Sequence, residues 1–120
     1  MPLKTILVAD DDRELRDLIS TVLEEPGYTV LAAADGYEAL RILVERAVDL
    51  LITDVKMPGI SGFELARQAK LMRPRLHVIY LSGHDSMTKR TGGPTYGVLL
   101  RKPVRPAELL EIIQEEMHPS

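Results

Sequence analysis

Residues 6–12 read Ile-Leu-Val-Ala-Asp-Asp-Asp. Four apolar residues without a polar interruption fit a strand buried on both faces, and the carboxylates that follow sit where such a strand ends. Similar apolar runs recur at 28–33, at 48–53 with Asp49 near its start, at 76–81 and at 98–100, which with 6–9 makes five strands. Amphipathic segments lie between them. In the first, Leu15, Leu18, Ile19, Val22 and Leu23 recur at helical spacing, and Pro26-Gly27 stops the helix. In the second, Leu40, Leu43, Val44 and Ala47 line one face after Asp35-Gly36, with Asp35 suited to cap. A third spans 61–71 with Phe63, Ala66 and Ala69 inward and Pro74 beyond its end. The last spans 106–117, with Leu109, Leu110, Ile113 and Met117 apolar and Pro106 in its first turn.

Strands alternating with helices require right-handed crossovers and a parallel sheet covered on both faces, so the fold class is α/β. Five strands favour a doubly wound, flavodoxin-like sheet of order 2-1-3-4-5, with a ligand crevice outside the carboxyl ends of the first and third strands. The stretch 82–97 breaks the pattern: Gly83, Gly92, Gly93, Pro94 and Gly97 leave room for a short helical turn at 86–90, so a reduced or irregular fourth helix is expected.

Composition narrows the function classes. At 120 residues the chain reads as one domain, since a domain usually takes roughly 100–200. The absence of cysteine excludes disulfides, thiolate metal sites and a cysteine nucleophile. A net charge of −3 gives no excess of cations to hold a phosphate backbone, so direct nucleic-acid binding is not expected. No apolar run approaches the ~20 residues of a membrane span, and Met1-Pro2-Leu3-Lys4 has no signal-peptide pattern, so no membrane insertion and a cytoplasmic location are expected.

The chemistry gathers at the strand ends. Asp10, Asp11 and Asp12 follow the first strand, and Asp54 ends the run Leu50-Leu51-Ile52-Thr53. In the expected topology these ends are neighbours, and carboxylates sharing one crevice repel unless a cation or bound protons compensate. Magnesium suits such a site because it takes few protein carboxylates, retains waters and leaves positions for phosphate oxygens. A plainer reading makes Asp11 and Glu14 a capping box for the first helix, which accounts for one aspartate and not for the others. Ser82 and Lys102 follow the fourth and fifth strands; a hydroxyl donor and an ammonium point charge complete a phosphoryl site. Taken singly, each reads as a turn residue or a solvated charge.

The arrangement resembles the receiver domain of two-component response regulators over essentially the whole chain. The matching residues are Ile6-Leu7-Val8-Ala9-Asp10-Asp11, Asp54-Val55-Lys56-Met57-Pro58-Gly59 with Ser61-Gly62, Leu81-Ser82-Gly83 and Lys102-Pro103. The resemblance implies that Asp54 accepts a phosphoryl group from a histidine kinase or phosphotransfer protein. Asp11, Asp54 and the Lys56 backbone carbonyl would bind Mg2+ directly, with Asp10 supporting the ion largely through water. Ser82 and Lys102 would contact the transferred phosphoryl oxygens, and Lys102-Pro103 would be a cis peptide. The resemblance further implies a protein that catalyses its own phosphorylation and slow dephosphorylation without being a conventional turnover enzyme, a downstream effector, and a phosphorylation-dependent homodimer.

Some positions depart from the family pattern. Three residues before Lys102 the family usually carries a tyrosine or phenylalanine, and this chain has Leu99; Tyr96 lies three positions earlier and does not inherit the role. With the glycine-rich 82–97 stretch, this looks similar to receivers attached to hybrid sensor kinases. His84 and Lys56 stand two residues after Ser82 and Asp54, where receivers tune water attack, and each also reads as a solvated side chain. His77 and His118 lack metal-ligand spacing. Two other readings are weighed. A pure interaction module on this fold is opposed by the complete set Asp10, Asp11, Asp54, Ser82 and Lys102. A flavin binder or magnesium phosphohydrolase is opposed by the repulsion of Asp10 to Asp12 for a flavin phosphate, and by Lys56 where a hydrolase wants an acid/base aspartate.

Overall fold

The structure is a computed structural model that describes residues 4–83 and 96–118. Along the chain run β1 (Thr5–Ala9), α1 (Arg13–Glu24), β2 (Thr29–Ala33), α2 (Gly36–Glu45), β3 (Leu50–Asp54), α3 (Gly62–Met72), β4 (His77–Ser82), β5 (Val98–Arg101) and α4 (Pro106–Met117). All strand pairs are parallel and the sheet order is β2-β1-β3-β4-β5, as expected. The turn at 86–90, His84 and the question of a reduced fourth helix lie outside the described residues.

Continuous apolar runs are needed because both faces of the sheet are covered. Leu7, Ala9, Leu51, Val78 and Tyr80 pack with Ala39 and Leu43 of α2 and Leu65, Ala66 and Ala69 of α3. Their neighbours Ile6, Val8, Leu50, Ile52, Ile79 and Leu81 pack on the other face with Ile19 and Leu23 of α1 and Leu109, Ile113 and Met117 of α4. Every residue of the central β3 is buried, whereas Thr29 and Ala32 on the edge strand β2 are exposed. Asp49 stands just before β3 and accepts a bond from the Thr5 amide at 2.9 Å, which accounts for a carboxylate at a strand start.

Helix starts follow capping chemistry. Asp35 accepts from the Glu38 amide at 2.8 Å and Ser61 from the Glu64 amide at 3.1 Å, the short polar side chains satisfying donors that the first turn leaves open. For α1 the capping residue is Asp12, which accepts from Glu14 and Leu15, so the Asp11–Glu14 box is corrected. A one-residue shift in where the helix begins frees Asp11 for the crevice.

Three helix faces also need correction. Leu18, Val44 and Ala47, expected inward, are exposed. In α2 the buried line is Gly36, Ala39 and Leu43, spaced by three and four, and Val44 falls a further 100° round the helix. In α3 Leu65 is fully buried while Phe63 is half-buried against Tyr80, ring centroids 5.0 Å apart.

Two glycines are set by close backbone approach. A Cβ on Gly62 would overlap the Asp54 carbonyl oxygen, and one on Gly97 would overlap the Val78 carbonyl. The Gly62 amide also donates to the Val55 carbonyl at 2.8 Å, so the start of α3 is pressed against the end of β3. Gly62→Ala should therefore cost about 1–3 kcal/mol, the usual range for overpacking a tight site. Urea denaturation checks this, and a midpoint equal to that of the unchanged protein would contradict the close approach.

Candidate functional site

Strand register delivers the site. Ala9 pairs with Thr53 across β1 and β3, so Asp10 and Asp54, each one residue further on, emerge side by side. Asp54 in turn pairs with Leu81, Ser82 pairs with Arg101, and the Lys102 amide donates to the Ser82 carbonyl at 2.8 Å. Carboxylates, hydroxyl and ammonium thus lie at the carboxyl end of the sheet, at the point where the chain order reverses between β1 and β3. The Lys102-Pro103 peptide is cis, as the family resemblance implied.

Asp10, Asp11 and Asp54 each offer a carboxylate oxygen, and these oxygens lie within 4.8 Å of one another. Asp10 is fully buried and Asp54 is 6 % exposed, whereas Asp11 lies at the surface. The Lys102 ammonium stands 3.5 Å from Asp10 Oδ2 and 3.3 Å from Asp54 Oδ1. One lysine does not neutralise the group. Burial pushes both Asp10 and Asp54 above the usual carboxylate range, opposed at Asp10 chiefly by the Asp12 amide and at Asp54 chiefly by Lys102; the remaining carboxylate charges push upward again.

Asp10 is held at three of its atoms. Its amide donates to the Ala33 carbonyl at 3.1 Å, its Oδ1 accepts from the Asp12 amide at 2.9 Å, and its carbonyl accepts from Arg16 Nη1 at 2.8 Å. Oδ2 is buried without a hydrogen-bond donor; Lys102 lies near enough for charge attraction but not for a good hydrogen bond. A buried carboxylate oxygen in this condition is costly unless something further compensates it. Three hard oxygen donors around an orphaned lone pair fit a small divalent cation.

The structure thus brings together Asp10, Asp11, Asp54 and Lys102. Ser82, 1 % exposed, directs its hydroxyl to the Gly83 carbonyl at 3.1 Å, the turn-residue geometry. The Lys56 side chain is exposed, while its backbone amide opposes the upward shift at the Asp54 carboxyl. Leu99 pairs with Tyr80 and packs into the core on the α2–α3 side, and the Tyr96 amide donates to the Tyr80 hydroxyl at 3.1 Å. His77 Nδ1 faces Glu116 at 3.4 Å and His118 Nε2 faces the Tyr28 hydroxyl at 3.3 Å, both away from the crevice. Sequence reasoning missed Arg16. Its only signal was a cation on the first turns of α1, where the apolar stripe dominates the reading.

Comparison with known proteins agrees with this geometry. The family model "Response regulator receiver domain" matches residues 6–114. The response regulator MprA of Mycobacterium ulcerans (strain Agy99) is 39% identical over 107 residues, covering 88% of this chain and 46% of that protein. The chain therefore spans about half the length of that relative. Among solved structures, a response regulator receiver protein from Sinorhizobium medicae WSM419 superposes with a TM-score of 0.88 at 28% identity, covering 98% of this chain and 96% of that one. The receiver domain of the hybrid histidine kinase CckA gives a TM-score of 0.82 at 34% identity, covering 95% and 99% of the two chains. With a family model matched from β1 into α4 and its carboxylates at the expected strand ends, the chain belongs to the response regulator receiver domain family.

Proposed function

We propose that residues 1–120 form a single receiver domain whose Asp54 accepts a phosphoryl group from a histidine kinase or phosphotransfer protein, with Mg2+ bound by Asp11, Asp54 and the Lys56 carbonyl. The observation that carries this reading is the pairing of a nearly buried Asp54 with Lys102 at 3.3 Å beside two further aspartates. In the transfer, an Asp54 carboxylate oxygen forms a bond to phosphorus as the bond from phosphorus to the donor breaks. Such a reaction asks for positioning and charge neutralisation more than for covalent help from the protein. Bound Mg2+ would supply charge to the phosphoryl oxygens and to the crowded carboxylates. Lys102 is placed to follow the phosphoryl group, exchanging its contacts with Asp10 and Asp54 for a phosphoryl oxygen. The Ser82 hydroxyl, rotated from the Gly83 carbonyl, would donate to another.

Water attack on the acyl phosphate in the same site would reverse the mark, giving slow self-dephosphorylation without a conventional turnover cycle. The reading places the domain in the cytoplasm, where a kinase can reach it, and passes the signal to a downstream effector through a change in surface, with a phosphorylation-dependent homodimer as one form of output. Among the described residues, no helix is long and apolar enough to cross a membrane. Likeness to MprA fits attachment to an output half, and likeness to the CckA receiver fits attachment to a hybrid kinase; the phosphoacceptor chemistry is the same in either.

Acetyl phosphate with Mg2+ should add one phosphoryl group, seen by intact mass, and Asp54→Asn or removal of Mg2+ by a chelator should abolish it. An equal adduct on Asp54→Asn would place the reaction elsewhere. A second expectation concerns stability without divalent ions. Because burial raises the folded-state pKa of Asp54 above its unfolded value, the native state holds more protons between the two values and stability falls as pH rises through them. Asp54→Asn escapes that loss. In metal-free buffer it should melt above the unchanged protein at neutral pH, by about 4 °C for each kcal/mol relieved, and the difference should shrink on acidification. A lower melting temperature for Asp54→Asn at neutral pH would show that the carboxylate is stabilising there.

A further inference from the structure

We propose that Arg16 is a positioning residue for the metal site: its guanidinium, bonded to the Asp10 carbonyl at 2.8 Å, fixes the β1–α1 turn so that Asp10 Oδ2 and the Asp11 carboxylate face the crevice. This deepens the Mg2+ reading above and rests on it. Asp10 is the first residue beyond β1, so its carbonyl has left the β1 ladder and needs a donor to hold its peptide plane. Arg16 supplies it from α1, one helical turn past the Asp12 cap, with its own amide bonded to the Asp12 carbonyl at 3.0 Å. The turn is thereby tied at both ends to one helix.

The plane held by Arg16 is the Asp10–Asp11 peptide, so its tilt sets where the Asp11 side chain leaves the backbone. The other anchors on Asp10, the Ala33 carbonyl and the Asp12 amide, hold its amide and Oδ1, whereas Arg16 holds its carbonyl. Arg13, also on α1, faces Asp17 in an exposed pair at 3.8 Å. It is the natural control. Groups that orient the ligands of a metal commonly change its affinity by about 10–100-fold when removed.

The test is calorimetric titration of Mg2+ into the metal-free protein, with Arg16→Ala, Arg16→Lys and Arg13→Ala alongside, and amide NMR spectra of each. Arg16→Ala should weaken Mg2+ binding about tenfold and shift the Asp10 to Asp12 amides, while dispersed spectra elsewhere show an intact fold. Arg16→Lys, whose ammonium can still donate to the carbonyl, should recover part of the affinity, and Arg13→Ala should leave it unchanged. Equal Mg2+ affinity in folded Arg16→Ala and the unchanged protein would overturn the role of Arg16 alone. An equal loss in Arg13→Ala would also overturn it, because the effect would then belong to surface charge. Failure of the unchanged protein to bind Mg2+ would overturn the metal reading itself, and the positioning role with it.

Discussion

Confinement of like charge governs this molecule. Parallel pairing of β1 with β3 brings two buried carboxylates out of adjacent strands at the same level, and Asp11 adds a third within 4.8 Å. Neither strand can slip to relieve the repulsion, because a one-residue shift would exchange the side chains packed against α1 and α4 with those packed against α2 and α3. The two cores therefore hold the acidic crevice closed against its own electrostatics. Lys102 is the one cation placed among these carboxylates in the described residues, and it is shared between Asp10 and Asp54.

A crevice so arranged is poised to exchange partners. In the proposed reading a divalent ion would satisfy the carboxylates and leave the Lys102 ammonium to a phosphoryl group, so that ion, lysine and phosphoryl charge would be compensated together. The energy for a change of surface would then come from Lys102 and Ser82 leaving their present contacts. Ser82 ends β4 and Lys102 directly follows β5. Three residues before Lys102 stands Leu99, packed against the core.

Most of the fold was legible because its signals are local and periodic. Apolar runs bounded by Gly, Pro and Asp located all five strands to within two residues, and Asp35 and Ser61 marked two helix starts. The site was legible because topology turns strand ends into neighbours, so Asp10, Asp54, Ser82 and Lys102 could be gathered without coordinates. Errors arose where a decision turned on a single residue of phase. Asp11 and Asp12 compete for the cap of α1, and adjacent aspartates give no sequence signal for which one the helix uses. Val44 and Leu18 are apolar at near-helical spacing and yet face solvent. The Arg16 bond to the Asp10 carbonyl was invisible for a different reason: backbone carbonyls accept from side chains according to peptide orientation, which residue type does not encode.

Lys102 stands as a countercharge to Asp10 and Asp54 and, in the proposed reading, would compete with a divalent ion for the same carboxylates. The most direct measurement is the Mg2+ affinity of the metal-free protein compared with Lys102→Met and Asp54→Asn, read by calorimetric titration. Binding should tighten in Lys102→Met, where the competing ammonium is gone, and weaken in Asp54→Asn, where a carboxylate is lost. Equal affinity in all three would contradict a cation site built from this crevice.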